Sequence, residues 1–276
     1  MTWDKILGYA GAGAVVTTIG TLIGLVLKER IFARSFERWK TQLSLQQVAR
    51  RYREPIALTA LELCTRLIDV CDEYPAEFLD SSILTISAPS RPTLNSAADP
   101  YFKRYRLVST VYRLCAFLGW IELYRQETTY LEPEGRSRTR DLERAIFAIR
   151  SDLADGQLNT AKDWPTWHDA LIFREEQRAI GESMIVSAGQ TRTIMGYAKF
   201  AESYPSSGTL SEERWFTRAA AFLLDLKRTK DFRQQRLQRL VVHLTNLAEL
   251  LAPNRIRQEH CDAHAKYLKI ANDSAA

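Results

Sequence analysis

Hydrophobic and polar positions divide the chain into two regimes. From Ile6 to Leu27, 22 consecutive residues carry no charge, and Lys28, Glu29 and Arg30 follow at once. As a helix rising 1.5 Å per residue this run reaches about 33 Å, enough to cross the hydrocarbon of a bilayer. After it, apolar positions recur at helical spacing. Leu27, Ile31, Phe36, Trp39, Leu43, Val48 and Tyr52 fall at intervals near three and four, so the span is expected to continue into a helical stalk. Pro55 is expected to kink or restart that helix, because it pushes the preceding residue away from helical geometry.

Beyond Pro55 the same period predicts helices over residues 56–74, 100–129, 139–154, 169–188, 191–203, 211–227 and 231–251. Breakers separate them: a Pro- and Ser-rich stretch over 75–100, then Glu132-Pro133-Glu134-Gly135, Asp155-Gly156, the linker DWPTWHD and the turn YPSSG. Asp99-Pro100 is an acidic cap followed by proline at the first helical position. No strand alternation of convincing length and no internal repeat is present. The expected fold class is all-α: an N-terminal transmembrane helix continuing into a stalk, then a cytoplasmic helical bundle of about six to seven helices. The expected domains are the anchor 1–27, a basic juxtamembrane stalk 28–53, a helical domain 54–254 and a polar C-terminal tail 255–276.

The anchor does not read as a cleaved signal. In MTWDK, Asp4 and Lys5 cancel, and the apolar run exceeds the roughly 7–15 residues of a signal peptide. The A-x-A triplets Ala10-Gly11-Ala12 and Ala12-Gly13-Ala14 precede most of the run, where cleavage makes no sense. One basic residue, Lys5, precedes the span, whereas eight Lys and Arg lie between Lys28 and Arg53. The positive-inside rule therefore predicts a single-pass protein of the inner (plasma) membrane, N-terminus outside and the rest cytoplasmic.

Charge sharpens this picture. Of the formal net charge of +5, residues 28–53 carry +6 and residues 1–27 none, so the remaining 223 residues sum to −1. The basic excess sits beside the membrane. Lys28, Arg30, Arg34, Arg38 and Lys40 are expected to meet anionic lipid headgroups. Nucleic acid is excluded as a partner of the bulk of the chain on charge grounds. Cys64, Cys71, Cys115 and Cys261 form no C-x-x-C pair, and four buried, reduced thiols suit a cytoplasmic domain.

Candidate interaction and ligand residues fall in three places. Within the span, Ala10, Gly13, Thr17, Gly20 and Gly24 lie on one stripe, and small residues there let two helices approach closely. Homo-oligomerisation through that stripe is the expectation. In the domain, Glu122 and Arg125 stand three apart, and Arg178 and Glu182 four apart on another helix. They line a ligand pocket on one reading; on the other they are intrahelical or interhelical ion pairs that fix packing. His260 and His264 have the i, i+4 spacing that can chelate a metal, but no third ligand accompanies them, and no metal or cofactor is expected. The basic run Lys227, Arg228, Lys230, Arg233, Arg236 and Arg239 reads as a solvated face.

The segments RYREPIALTALELCTRLIDV (51–70), YRLVSTVYRLCAFLGWIELYRQE (105–127) and FREEQRAIGESMI (173–185) carry a resemblance. They resemble a group of uncharacterised bacterial proteins with one N-terminal span and an all-helical cytoplasmic domain. That group has similar Y-R-x-P-L, S-T-x-Y…G-W-x-E-x-x-R and E-Q-R-A-I-G-E stretches; Ile56 stands here where such proteins often have Leu. The resemblance covers most of the chain after the anchor and implies a domain shape, with no activity or catalytic residue.

Two functions follow. One is a membrane-tethered interaction module (a sensor, scaffold or effector) with membrane lipids, a second copy and a protein partner as its contacts. The other is a membrane-bound enzyme or small-ligand receptor using a pocket lined by Glu122, Arg125, Arg178 and Glu182. A cavity lined by those four side chains would favour the second, and direct Glu–Arg pairing in a filled core the first.

Overall fold

The computed structural model describes residues 36, 43–44, 47–73, 79, 100–129, 140–154, 171–189, 191–204, 214–226 and 232–273. The chain divides into two compact units, Met1–Gln47 with Leu131–Arg136, and Val48–Tyr130 with Ser137–Ala276. In the first, residues 36, 43, 44 and 47 are described and helical. The apolar run 6–27, its association stripe and the headgroup residues Lys28 to Lys40 lie outside the described residues.

Among the described residues, the second unit is helical with one β-hairpin. Helix α1 (48–68 within this unit) ends in a π-helical turn, Asp69–Glu73. It is followed by α2 (Pro100–Thr129), α3 (Arg140–Ala154), α4 (Arg174–Met184), strands β1 (Ile185–Ala188) and β2 (Thr191–Ile194), and α5 (Tyr197–Ser203). Then come α6 (Arg214–Leu223), α7 (Phe232–Leu251), a 3-10 turn at Pro253–Arg255 and α8 (Gln258–Asp273).

Helix α2 is the centre of the core. Val111, Cys115, Phe117 and Leu123 are each fully buried, and α4, α5, α6 and β2 pack around it. Among the described residues, its span Tyr101–Thr128 is long and apolar enough to cross a membrane, but 83% of its apolar window is buried inside the protein. An apolar surface on all sides is what a central core helix requires.

Helix α1 runs unbroken through Pro55, where a kink or a restart was expected. Tyr52 and Ile56, four apart, are both buried, and only a continuous helix keeps them on one face. Tyr52 packs against Trp120 and Tyr124 and donates its hydroxyl to Glu127 at 2.5 Å. Arg53 donates to the Leu251 carbonyl. Residues 48–53, assigned from sequence to the stalk, thus belong by their contacts to the folded unit. At the other end of the unit, the stretch read as a polar tail contains α8. Ala263 and Tyr267 bury its inner face, and Tyr267 donates to Asp72 at 2.6 Å.

The sequence period also places helix where the hairpin lies. β1 and β2 pair antiparallel from Ile185↔Ile194 to Ala188↔Thr191. Ile185, Val186, Thr191, Thr193 and Ile194 are β-branched and stiff at χ1, which favours strand over helix. Gly189, at φ +63°, supplies the turn. Cys64, Cys71 and Cys115 are buried, whereas Cys261, expected inside, is exposed on α8. Burial pushes the Cys64 thiol up to about 11, which keeps it protonated and inert.

Candidate functional site

The two motifs that promised chemistry meet at the crossing of α2 and α4, and packing uses most of their residues. A Cβ on Gly181 would lie 2.7 Å from Glu122 Cβ and 2.8 Å from the Leu118 carbonyl oxygen. One on Gly119 would lie 2.9 Å from Met184 Cβ. Each glycine therefore lets the other helix come close. Glu176 accepts the Phe173 amide at 2.8 Å, capping α4, and pairs with Arg218 of α6 at 3.1 Å. The buried Gln177 donates to the carbonyls of Arg150 and Ile172.

Glu122 is 2% exposed and lies beside this crossing. Arg125 grips it with two bonds, Nε to Oε2 at 2.8 Å and Nη2 to Oε1 at 2.5 Å, and Gln126 adds a third at 2.8 Å. The hydrogen bond to Glu122 in turn raises the Arg125 pKa. Arg178 and Glu182 lie on the exposed face of α4. The space shared by Glu122, Arg150, Gln177 and Arg178 is about 10 Å³, at most one water. Direct Glu122–Arg125 pairing in a filled interior is the arrangement found.

On the other side of Arg125 the surface opens into a groove of about 270 Å³ between α2, α3 and α4. Its apolar part is Ile121 and Tyr124 from α2 with Ile146 and Phe147 from α3; its cationic part is Arg125, Arg150 and Arg174, with Glu143 at the margin. Arg150 donates Nε to Gln177 Oε1 and Nη2 to the Arg174 carbonyl, both at 3.2 Å and both to uncharged acceptors. Its pKa is lowered, first by burial and then by the neighbouring charges of Arg178 and Arg174. Arg174 lies 4.6 Å over the Phe147 ring and donates to Ser151.

A second, larger groove of about 510 Å³ lies between α1, α2 and the start of α8. Arg66, Arg113, Arg255 and Arg257 reach it, as do Glu62, Asp69, Thr65 and His260. Arg66 pairs with Asp69 at 3.7 Å, Arg255 with Glu54, and Arg257 with Glu259 at 3.6 Å. Thr65 Oγ1 and His260 Nε2 stand 2.9 Å apart, the distance of a nucleophile and its base. The tautomer argues otherwise. His260 Nδ1 accepts the Arg257 amide at 3.1 Å, so the neutral ring carries its proton on Nε2 and donates it to Thr65. Burial lowers the His260 pKa and holds the ring neutral. His264 is engaged by Asn246 at 3.0 Å, so the two histidines do not form a chelating pair, and no metal cluster occurs among the described residues.

The basic run is structural where it is described. Arg233 donates to the carbonyls of Leu224 and Asp225 at the end of α6. Arg236 donates to the Asp152 carbonyl, and Arg239 pairs with the Asp152 carboxylate at 3.0 Å. Asp152 also meets His243 Nε2 at 3.2 Å, tying α3 to α7.

Arg150, Arg174 and Phe147 carry no motif and were missed as site residues. Of Glu122, Arg125, Arg178 and Glu182, Arg125 alone lines either of these two grooves. Comparison with protein-family models, curated proteins and solved structures found no match.

Proposed function

We propose that this chain is a membrane-tethered cytoplasmic interaction module, a sensor, scaffold or effector. In this reading Ile6–Leu27 anchors it with the N-terminus outside, and Lys28, Arg30, Arg34, Arg38 and Lys40 meet anionic headgroups. The stripe Ala10, Gly13, Thr17, Gly20 and Gly24 pairs two copies in the bilayer, and a helical bundle faces the cytoplasm. The observation that carries the reading is that Glu122, the buried carboxylate of the domain's strongest motif, is fully engaged by Arg125 and Gln126. The hydroxyl–imidazole contact found among the described residues, at Thr65 and His260, has its proton on the wrong nitrogen for a base. Of the rival reading, the receptor half keeps support from the arginine-lined groove beside Arg125.

The test has two arms. A reporter fused after Ala276 should report cytoplasm and one fused at Met1 the exterior. Replacing Gly20 and Gly24 together with Leu should weaken self-association in a membrane two-hybrid assay, because bulk on the stripe holds the backbones apart. Exchanging Leu22 and Ile23 for other large apolar residues should change little. An external C-terminal reporter overturns the topology, and undiminished pairing of the Leu variant overturns the stripe.

A further inference from the structure

We propose that the groove between α2, α3 and α4 binds a small amphipathic carboxylate, an acyl or arylalkyl acid, with its apolar tail on Ile121, Tyr124, Ile146 and Phe147 and its carboxylate on Arg150. Arg150 is a half-buried cation bonded, among the described residues, to uncharged acceptors alone. A guanidinium taken partly out of water gains most from an anion, and the planar fork matches a carboxylate edge on. Nε and one proton of Nη2 are already held, so Nη1 and the second proton of Nη2 form the edge left to the ligand, and a monoanion suits that single edge better than a polyphosphate.

The cations around Arg150 press the same way. Arg174, Arg178 and Arg125 stand near it; Glu122 opposes them, but its carboxylate is gripped by Arg125. Phe147, 57% exposed, is a large apolar side chain that a packed tail would cover. Arg174 over its ring fixes that wall of the groove. At about 270 Å³ the space lies just below the usual range of ligand pockets, which limits the tail to a medium acyl chain or a phenylalkyl group. The groove lies wholly within the folded unit that starts at Val48, so it stands or falls independently of self-association through the span.

Equilibrium dialysis of labelled octanoate against the full chain in lipid nanodiscs, with empty nanodiscs subtracted, tests the assignment. Saturable binding at one site per chain is expected, and octylamine, equal in tail and opposite in charge, should show none. Arg150→Met should weaken octanoate binding about tenfold or more, and Arg150→Lys by less, since it keeps charge but loses the fork. Arg150→Met also gives up the bond to Gln177, so Phe147→Glu is the companion variant. It alters an exposed position and offers the cations an internal carboxylate, and it should abolish binding while far-UV circular dichroism stays that of the parent. Absence of saturable octanoate binding, or binding that survives both Arg150→Met and Phe147→Glu, overturns the proposal.

Discussion

Two grooves described in the domain have the same kinds of residues and opposite electrostatic character. The one between α1, α2 and α8 is the larger, at about 510 Å³, and four arginines reach it. Around it, however, stand Glu54, Glu62, Asp69 and Glu259, and three of those carboxylates pair directly with its arginines. The one between α2, α3 and α4 is about half the volume, has an apolar floor and holds Arg150 with uncharged partners. A count of arginines, or volume alone, would choose the first. Charge balance chooses the second, because an anion entering the first must displace carboxylates already present, whereas in the second it meets a cation whose carboxylate neighbour, Glu122, is already gripped by Arg125.

The comparison breaks hardest at the α2–α4 crossing, which holds the walls of the smaller groove together. Gly181→Leu places side-chain atoms where Leu118 and Glu122 already lie within 2.8 Å of a Cβ. Overpacking of this kind costs about 3 kcal/mol or more, since backbone rather than a flexible side chain must move. Thermal unfolding of the full chain should show a large fall in Tm, together with loss of octanoate binding. A variant that melts with the parent would show that the helices are not in close contact at Gly181.

How much of this was legible beforehand depends on the range over which each feature is encoded. Pro100, the long apolar period after it and the 231–251 pattern located α2 and α7 to within a residue, because caps and period are local signals. The hairpin was also local, in the β-branched residues on either side of Gly189-Gln190, but its strands of four residues are too short for alternation to stand out. α8 reads as polar in sequence because its inner face is narrow, with Ala263 and Tyr267 between charged residues. The smaller groove was not legible at all. Arg150 and Arg174 sit on separate helices, and an arginine on a helix looks like a solvated face until packing brings its neighbours together. Glu122 and Arg125 were found, but sequence left open whether they faced a ligand or each other.

A middle-sized effect separates an engaged ion pair from a spare one. Glu122→Gln keeps the shape and one oxygen, loses the charge that Arg125 grips, and turns an amide donor toward Gln126 or Arg125. A loss of about 1–2 kcal/mol is expected, because Arg125, at 35% exposed, recovers part of its hydration. Chemical denaturation should show that loss with octanoate affinity nearly intact. An equal loss of affinity would mean that Glu122 shapes the smaller groove, and the two sites would have to be read as one.

The smallest effect belongs to the larger groove and concerns pH. Buried His260 has a folded pKa below its ordinary value of 6.5, chiefly from desolvation, with Glu259 opposing and Arg257 assisting. The sign follows from linkage. Below 6.5 the unfolded chain takes up a proton that the folded ring resists, so this contribution to stability is whole above that pH and declines as pH falls toward the folded value. Protonation would also put a hydrogen on Nδ1, where the Arg257 amide now donates, and so undo the cap at the start of α8. His243, lowered by burial against the pull of Asp152, works in the same direction. Melting temperatures should therefore fall between about pH 7 and pH 5. His260→Gln, which has no proton to gain, should flatten that fall in part and leave the His243 share. An unchanged pH slope in the variant would mean that the ring titrates as freely folded as unfolded. Thr65 would then be free to give up its proton, and the case against a hydroxyl–imidazole pair in the larger groove would have to be reopened.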